Sequence, residues 1–352
     1  SSSELFPISF PKTLQVPCIS NYRVTIRPQA AAVNLQIAGS NFTQLFLLDS
    51  ASYVVFDGRP GGTGTSSQLS VINNSFGSVF RLNNASGNKF EYLKIGGSNT
   101  GPSVPEGLVH LVGSQGAGSD NNRFGNCEIY STSAIPNSKN IMLSSVGAAG
   151  FVNDNDSIIN CRFYDFAASG IQLSDYSNGW VISGNSFYNT ATVNYVSDVA
   201  FIKISSLNAI AASHQVTNNY FGGTAANCQG NAMSAGYFST FSFIDIAGKA
   251  VVSNNYFRRV RLYNGSNSIN NSVVNFILAR LVPAQVTYVI DNNYFGSSSL
   301  SDSLHVSSNS SSVDMEVNGI SMIGLGQVSN NRFSHLRCSS PVTRIMLKVI
   351  SA

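Results

Sequence analysis

Lys203 in FIKIS and Asp245 in FIDIA hold the same place in two short apolar segments, and Gln172 holds it in GIQLS. Aligning all segments of this kind gives the column His110, Met142, Gln172, Lys203, Asp245, Leu278 and Met322. If these segments are adjacent strands, Lys203 and Asp245 are close enough to pair. A lyase acting on polysaccharide needs a Lys or Arg base, so Lys203 with Asp245 is the catalytic candidate if the protein is an enzyme. The plainer reading is an exposed salt bridge of little energetic worth. Hydrolysis by the usual route needs two carboxyl groups roughly 5–9.5 Å apart, and Asp245 is the only acid in this patch.

Two other columns carry chemistry. The residue before each recurrent Phe reads Arg123, Arg162, Ser186, Tyr220, Tyr256, Tyr294 and Arg332. Three outward tyrosines on consecutive turns make an aromatic strip on which a sugar ring or a partner's side chain could stack. The structural alternative is that the rings cover one another, at about 0.5–1.5 kcal/mol per pair. Seven residues before each Phe stand Asp156, Trp180, His214, Ala250, Tyr288 and Gly326. Trp180, the single Trp of the chain, lies between an Asp and a His and would either line a sugar subsite with His214 or plug a corner. Asp154, Asp156 and Asp175 offer oxygens to a Ca²⁺ ion, but no repeated acidic calcium motif occurs and no cofactor is expected.

These columns exist because one phrase returns. Asn-Asn-aromatic-Phe or a near relative ends at Phe76, Phe124, Phe163, Phe187, Phe221, Phe257, Phe295 and Phe333, with steps from Phe124 of 39, 24, 34, 36, 38 and 38 residues. Such a period marks a stacked repeat. Alternating β-branched runs precede the later motifs, as in HQVTNNYF and YVIDNNYF, and alternation is strand-like. Five residues before each Phe lies Val71, Ser119, Ile158, Ile182, Val216, Val252, Ile290 or Val328, which predicts a second interior column. Two before it lies Asn74, Asn122, Asn185, Asn219, Asn255, Asn293 or Asn331, replaced once by Cys161. Asn tolerates left-handed backbone angles, so this position predicts both a tight bend and, at the strand spacing, an amide ladder beside the Phe ladder. The expected fold is all-β: a right-handed parallel β-helix, one domain over 1–352 with 1–22 as an N-terminal cap, and loop insertions such as Thr190 to Val199 and Tyr263 to Val273.

Composition narrows the function. Charged residues are 11% of the 352, well under the usual quarter or so. A net charge of +3 gives no ground for nucleic acid, and no apolar run approaches the roughly 20 residues of a membrane span. Five cysteines, Cys18, Cys127, Cys161, Cys228 and Cys338, show no metal spacing and read mostly as buried thiols. The Gly-rich loop Asp57 to Thr65 lacks the Gly-Lys-Ser/Thr ending of a phosphate cradle and reads as a turn at a coil corner. The start at SSSELF shows no signal peptide and reads as a mature or excised fragment.

From Asn21 to about Ser234 the phrases YRVTIRP, LFLLDSASYVVFDGRPGGTGTSSQLSVIN, GSDNNRFGNCEIY, NDNDSIINCRFYDF and VTNNYFGGTAANC resemble the β-helix repeat region of large secreted or surface-anchored proteins of the Bacteroidota. The resemblance covers roughly two thirds of the chain, and DGRPGGTGT is its most specific element. It implies a right-handed β-helix, export by the type IX route, a location outside the cell or on its surface, and adhesin-like or glycan-binding roles within a larger protein. No C-terminal sorting domain follows Ala352, and the family supplies no catalytic residues to carry over. The preferred expectation is a non-catalytic module that binds glycan or a cell-surface partner, with Tyr220, Tyr256, Tyr294, Gln172, Trp180 and His214 as contact residues. The alternative is a polysaccharide lyase or glycoside hydrolase on the same scaffold.

Overall fold

The computed structural model describes residues 10–15, 22–98, 106–114, 117–132, 141–174, 176–195, 198–206, 212–264, 271–280, 287–309, 314–340 and 344–351. Three parallel sheets run uninterrupted along the stack: eleven strands from Lys12–Leu14 to Ile345–Ser351, ten from Val24–Ile26 to Leu325–Ser329, and ten from Leu35–Gly39 to Arg332–Phe333. We refer to them as the first, second and third sheets. Each strand pairs with its counterparts one coil before and after, so the chain is a right-handed parallel β-helix. A fourth sheet of five strands, from Val193–Asn194 to Leu336–Ser339, adds another side to the later coils just before the first sheet. Within the expected cap, Lys12–Leu14 is already the edge strand of the first sheet; residues 1–9 and 16–21 of it lie outside the described residues.

The Asn-Asn pair divides the labour that the sequence assigns to one asparagine. Only two residues separate the second-sheet strand from the third-sheet strand, as Asn254 and Asn255 do between Ser253 and Tyr256. The first of the two takes the left-handed conformation, at Asn126, Asn160, Gly184, Asn218, Asn254, Asn292 and Asn330. The second turns inward and builds the ladder. Asn219 donates both its backbone N–H and its Nδ2 to Asn255 Oδ1 at 3.0 Å, and Asn255 repeats this toward Asn293 at 3.1 and 2.9 Å. Each Nδ2 also donates to a carbonyl of the preceding coil, Asn255 to Val216 and Asn293 to Val252. Cys127 and Cys161 head the same column, with the Cys127 N–H donating to Cys161 Sγ at 3.4 Å.

The Phe column is buried from Phe163 to Phe295 and ends on the partly buried Phe333, with successive ring centroids 5.1, 5.1, 4.9, 4.8 and 4.2 Å apart and nearly parallel planes. Toward the N-terminus it continues as Ile129, Ile95, Val71 and Ile37. Three expectations are corrected here. Phe76 is 48% exposed and outside the column. Val71 faces inward from the third sheet, not the second. Phe124 stacks in the second sheet on Phe90 and pairs with Ile158, so it belongs to the five-before column. With it Asn122 and Ser119 move back one corner, where Asn88 and Asn122 form a separate ladder. The same turn, one left-handed residue followed by one inward residue, is used at both corners, at Asn121 and Asn122 as at Asn254 and Asn255. The motif therefore announces a corner without saying which.

Candidate functional site

On the first sheet the strand register sets the outward residues. Gln172, Lys203, Asp245, Leu278 and Ser321 are in register on five consecutive coils. The expected column is corrected at two places: Ser144 stands opposite His110 and Gln172, and Ser321 opposite Leu278, while Met142 lies two residues off and Met322 one. A second outward row, Ser169, Ala200, Ser242, Asn275 and Asn318, lies three residues earlier instead of the two or four of a flat strand. Between the rows two consecutive residues turn inward, as Phe243 and Ile244 do, both fully buried. Each strand is thereby bent, and the outer face is drawn into a groove of about 460 Å³. Gly170 closes the row of phenylalanines at the bend because a Cβ there would sit 2.8 Å from the Phe187 ring.

The groove floor is polar and hydrogen-bonded along the stack. Asn275 Nδ2 donates to Ser242 Oγ at 3.3 Å, and Asn318 Nδ2 to Asn275 Oδ1 at 3.0 Å. Asn318 Oδ1 is buried and accepts from no group among the described residues. Lys203 and Asp245 are neighbours in register, as expected, but they do not form the ion pair. Asp245, whose side chain is 6% exposed, is held by Arg280 through two bonds of 2.6 Å, Nε to Oδ1 and Nη2 to Oδ2. The hydrogen bond and charge of Asp245 push the Arg280 guanidinium above its ordinary range against the cost of burial. Arg280 follows Leu278 by two residues and shares its face, so the next coil's diagonal position could have found it. Lys203 has no ion-pair partner among the described residues. The other groove acid, Asp198, accepts from the Thr240 N–H at 3.0 Å.

This pairing makes a measurable difference. Arg280→Ala is expected to lower stability by about 1–3 kcal/mol, because it leaves a mostly buried carboxylate without its fork. Lys203→Ala should stay within about 0.5 kcal/mol. Thermal melts that reverse this order would return the pair to Lys203 and Asp245.

The corner column does not form a subsite. Trp180 is fully buried and donates Nε1–H to the Asn153 carbonyl at 3.0 Å. His214 is also fully buried; its Nδ1 accepts from the Trp180 N–H at 3.4 Å, and burial lowers its pKa to about 4. Neither reaches the surface, so both leave the set of contact residues. Asp156 is buried in the Asn88–Asn122 ladder, accepting from the Asn122 N–H at 2.7 Å. Asp154 is on a short outer strand, and Asp175 lies outside the described residues. Among the described residues no group of three His, Cys, Asp or Glu side chains could hold a metal ion.

The tyrosine strip exists on the third sheet, away from the groove. Tyr220, Tyr256 and Tyr294 stack with centroids 5.1 and 5.0 Å apart at 11° and 8°. Arg258 lies 5.0 Å over Tyr256, and Arg332 5.6 Å over Tyr294. Ring faces are thus turned to one another, and half-buried edges face solvent. Arg123, expected in this column, is in the second sheet, where it bonds Glu91 at 2.7 Å. A second stack, Tyr130, Tyr164 and Tyr188, continues the wall on the earlier coils at 5.1 Å per step. The residue after each Phe carried that signal in NCRFY and GNSFY. Replacing Tyr220, Tyr256 and Tyr294 together by Ser is expected to lower the melting temperature clearly, since each stacked pair contributes about 0.5–1.5 kcal/mol. Loss of ligand affinity without loss of stability would instead make the strip a contact surface.

By shape the chain is similar to an alginate lyase from Paenibacillus sp. str. FPU-7, with TM-score 0.43, 11% identity, and 97% of this chain and 88% of that one covered. It is similar also to a Family 28 exopolygalacturonase of Yersinia enterocolitica, with TM-score 0.36, 9% identity, and coverage of 95% and 74%. PfbA, a surface adhesin of Streptococcus pneumoniae, matches with TM-score 0.30, 10% identity, and coverage of 91% and 72%. Likenesses this distant carry no argument about activity. No family model and no curated protein sequence matches the chain.

Proposed function

We propose that the protein is a non-catalytic, extracellular or cell-surface module that binds an extended carbohydrate in the groove of the first sheet. The observation that carries this reading is the groove's chemistry. Hydroxyls and amides line four of the five coils, the ammonium of Lys203 on the remaining one has no ion-pair partner among the described residues, and the best-placed acid, Asp245, has both oxygens taken by Arg280. Four coil steps at the strand spacing span roughly 19 Å, a length that suits a short run of sugar units lying along the stack. With both oxygens engaged by a guanidinium fork, the Asp245 carboxylate is not free to serve as one of the two carboxyl groups that hydrolysis uses. Among the described residues no helix is long and apolar enough to cross a membrane. Export by the type IX route, as the Bacteroidota resemblance implies, belongs to the same proposal.

The test is a glycan array followed by titration calorimetry on the best binder. Lys203→Ala combined with Asn275→Ala is expected to weaken binding by about tenfold or more, equivalent to about 1.4 kcal/mol, with circular dichroism unchanged. Release of unsaturated uronates or reducing ends by the parent protein, abolished in Lys203→Ala, would overturn the binding reading in favour of a lyase.

A further inference from the structure

The fourth sheet presents two arginines flanking a histidine that neither the fold nor the groove uses. Arg261, His305 and Arg337 are in register on three consecutive coils. Their strand neighbours Leu262 and Val306 are buried in the core, so the three polar side chains point outward. Arg261 and Arg337 are exposed, and neither forms an ion pair among the described residues. Arg261 and Arg337 stand two strands apart with His305 between them, and no carboxylate on the sheet offsets their charge: its strands contain no Asp or Glu. The nearby carboxylate, Asp302, is held by Arg259 at 2.8 Å and by Ser297 at 2.8 Å. The unbalanced field registers on His305, whose pKa is lowered by burial and then by Arg337 and Arg261.

Beside this row lies an aromatic pair, Tyr237 exposed and Tyr263 half-buried with its hydroxyl donating to Asn194 Oδ1. Tyr263 pairs in register with Gly236 and lies over it, since a Cβ at Gly236 would fall 2.4 Å from the ring. Tyr237, 47% exposed, meets Tyr263 edge-on at 5.7 Å. Hydroxyls of Ser307 and Ser339 fill the next positions of the Tyr263 column, and Ser339 bonds His305 Nε2 at 2.9 Å.

We infer that the outer face of the fourth sheet binds acidic polysaccharide, with Arg261 and Arg337 taking its sulfate or carboxylate groups and Tyr237 and Tyr263 packing on its sugar rings. Two coil steps separate the arginines by roughly 10 Å at the strand spacing, which suits charges borne by alternate units of a sugar chain. The row is one side chain wide and flanked by aromatic rings and hydroxyls. That combination favours a glycan over a duplex phosphate backbone, which calls for a broader basic surface. This face is separate from the first-sheet groove and does not depend on it.

Binding would be measured with a sulfated dextran oligosaccharide, its unsulfated parent and a polyphosphate of equal charge, at low and at physiological salt. The sulfated sugar should bind and the unsulfated one should not, with affinity falling as salt rises. Arg261→Ala with Arg337→Ala should weaken binding by about tenfold or more, and Arg261→Lys with Arg337→Lys should keep most of it. Equal affinity in the double Ala variant would overturn the proposal. Equal binding of polyphosphate would overturn its sugar component. Loss on Lys203→Ala alone would assign the anion to the groove instead.

Discussion

Phe257→Ala is expected to lower the free energy of unfolding by about 3–5 kcal/mol, and Asn255→Ala by about 1–3 kcal/mol. Phe257 is fully buried, lies face to face with Phe221 at 4.9 Å and Phe295 at 4.8 Å, and takes the edges of Phe243 and Phe276 at 5.6 and 5.8 Å. Collapse into the vacancy is resisted, because backbone pairing to both neighbouring coils fixes the spacing of the rings above and below. Asn255 accepts two bonds from Asn219 and donates to Val216 and Asn293. Its loss strands the donors of one neighbour and leaves the rest of the ladder paired. Equilibrium denaturation of both variants measures the order. A larger loss for Asn255→Ala would mean that the amide column, not the aromatic one, dominates the cohesion of the stack.

What the sequence disclosed and what it hid follow from the same turn. Interior columns were legible from Phe163 onward because an inward residue recurs two places after a left-handed one, and the strands that follow leave no other register. Earlier coils misled because the identical turn at Asn121 and Asn122 belongs to the other corner. Outward chemistry was legible only as far as adjacency. Gln172, Lys203 and Asp245 were placed side by side, yet the partner of Asp245 came from a strand end on the next coil. The groove itself was hidden, since it comes from two successive inward residues in each first-sheet strand, a break in alternation that reads simply as a continuous apolar run. Trp180 and His214 looked like ligand contacts on residue type alone; their burial is decided by the ladder position that they inherit from Asn88 and Asn122.

That inheritance makes Asp156 the most informative single site. Asn88 and Asn122 each accept a backbone N–H at Oδ1 and donate Nδ2 to a carbonyl of the preceding coil, Ala51 and Ala85 respectively. Asp156 accepts the Asn122 N–H at Oδ1 in the same way, but its Oδ2 is buried with no partner among the described residues. The register puts the Ser119 carbonyl where Ala51 and Ala85 stand for the earlier rungs, so an acceptor faces an acceptor unless Oδ2 carries a proton. Burial accordingly raises the Asp156 pKa well above its ordinary value, against the bonds from Asn122 and with smaller help from Asp120 and Asp154. With a folded pKa above the unfolded one, near 3.9, the native state binds more protons than the unfolded chain, and stability must fall as pH rises above about 4 until the native carboxyl itself ionises. Asp156→Asn supplies the missing donor without a charge. It is therefore expected to match the parent below about pH 4 and to exceed it at neutral pH by about 1–3 kcal/mol, the cost of one unmet buried polar group. Melting curves of both proteins from pH 3 to 8 should diverge upward through that range. Parallel curves, or a variant less stable than the parent at neutral pH, would show that the Asp156 carboxylate is ionised and has a partner in the folded chain.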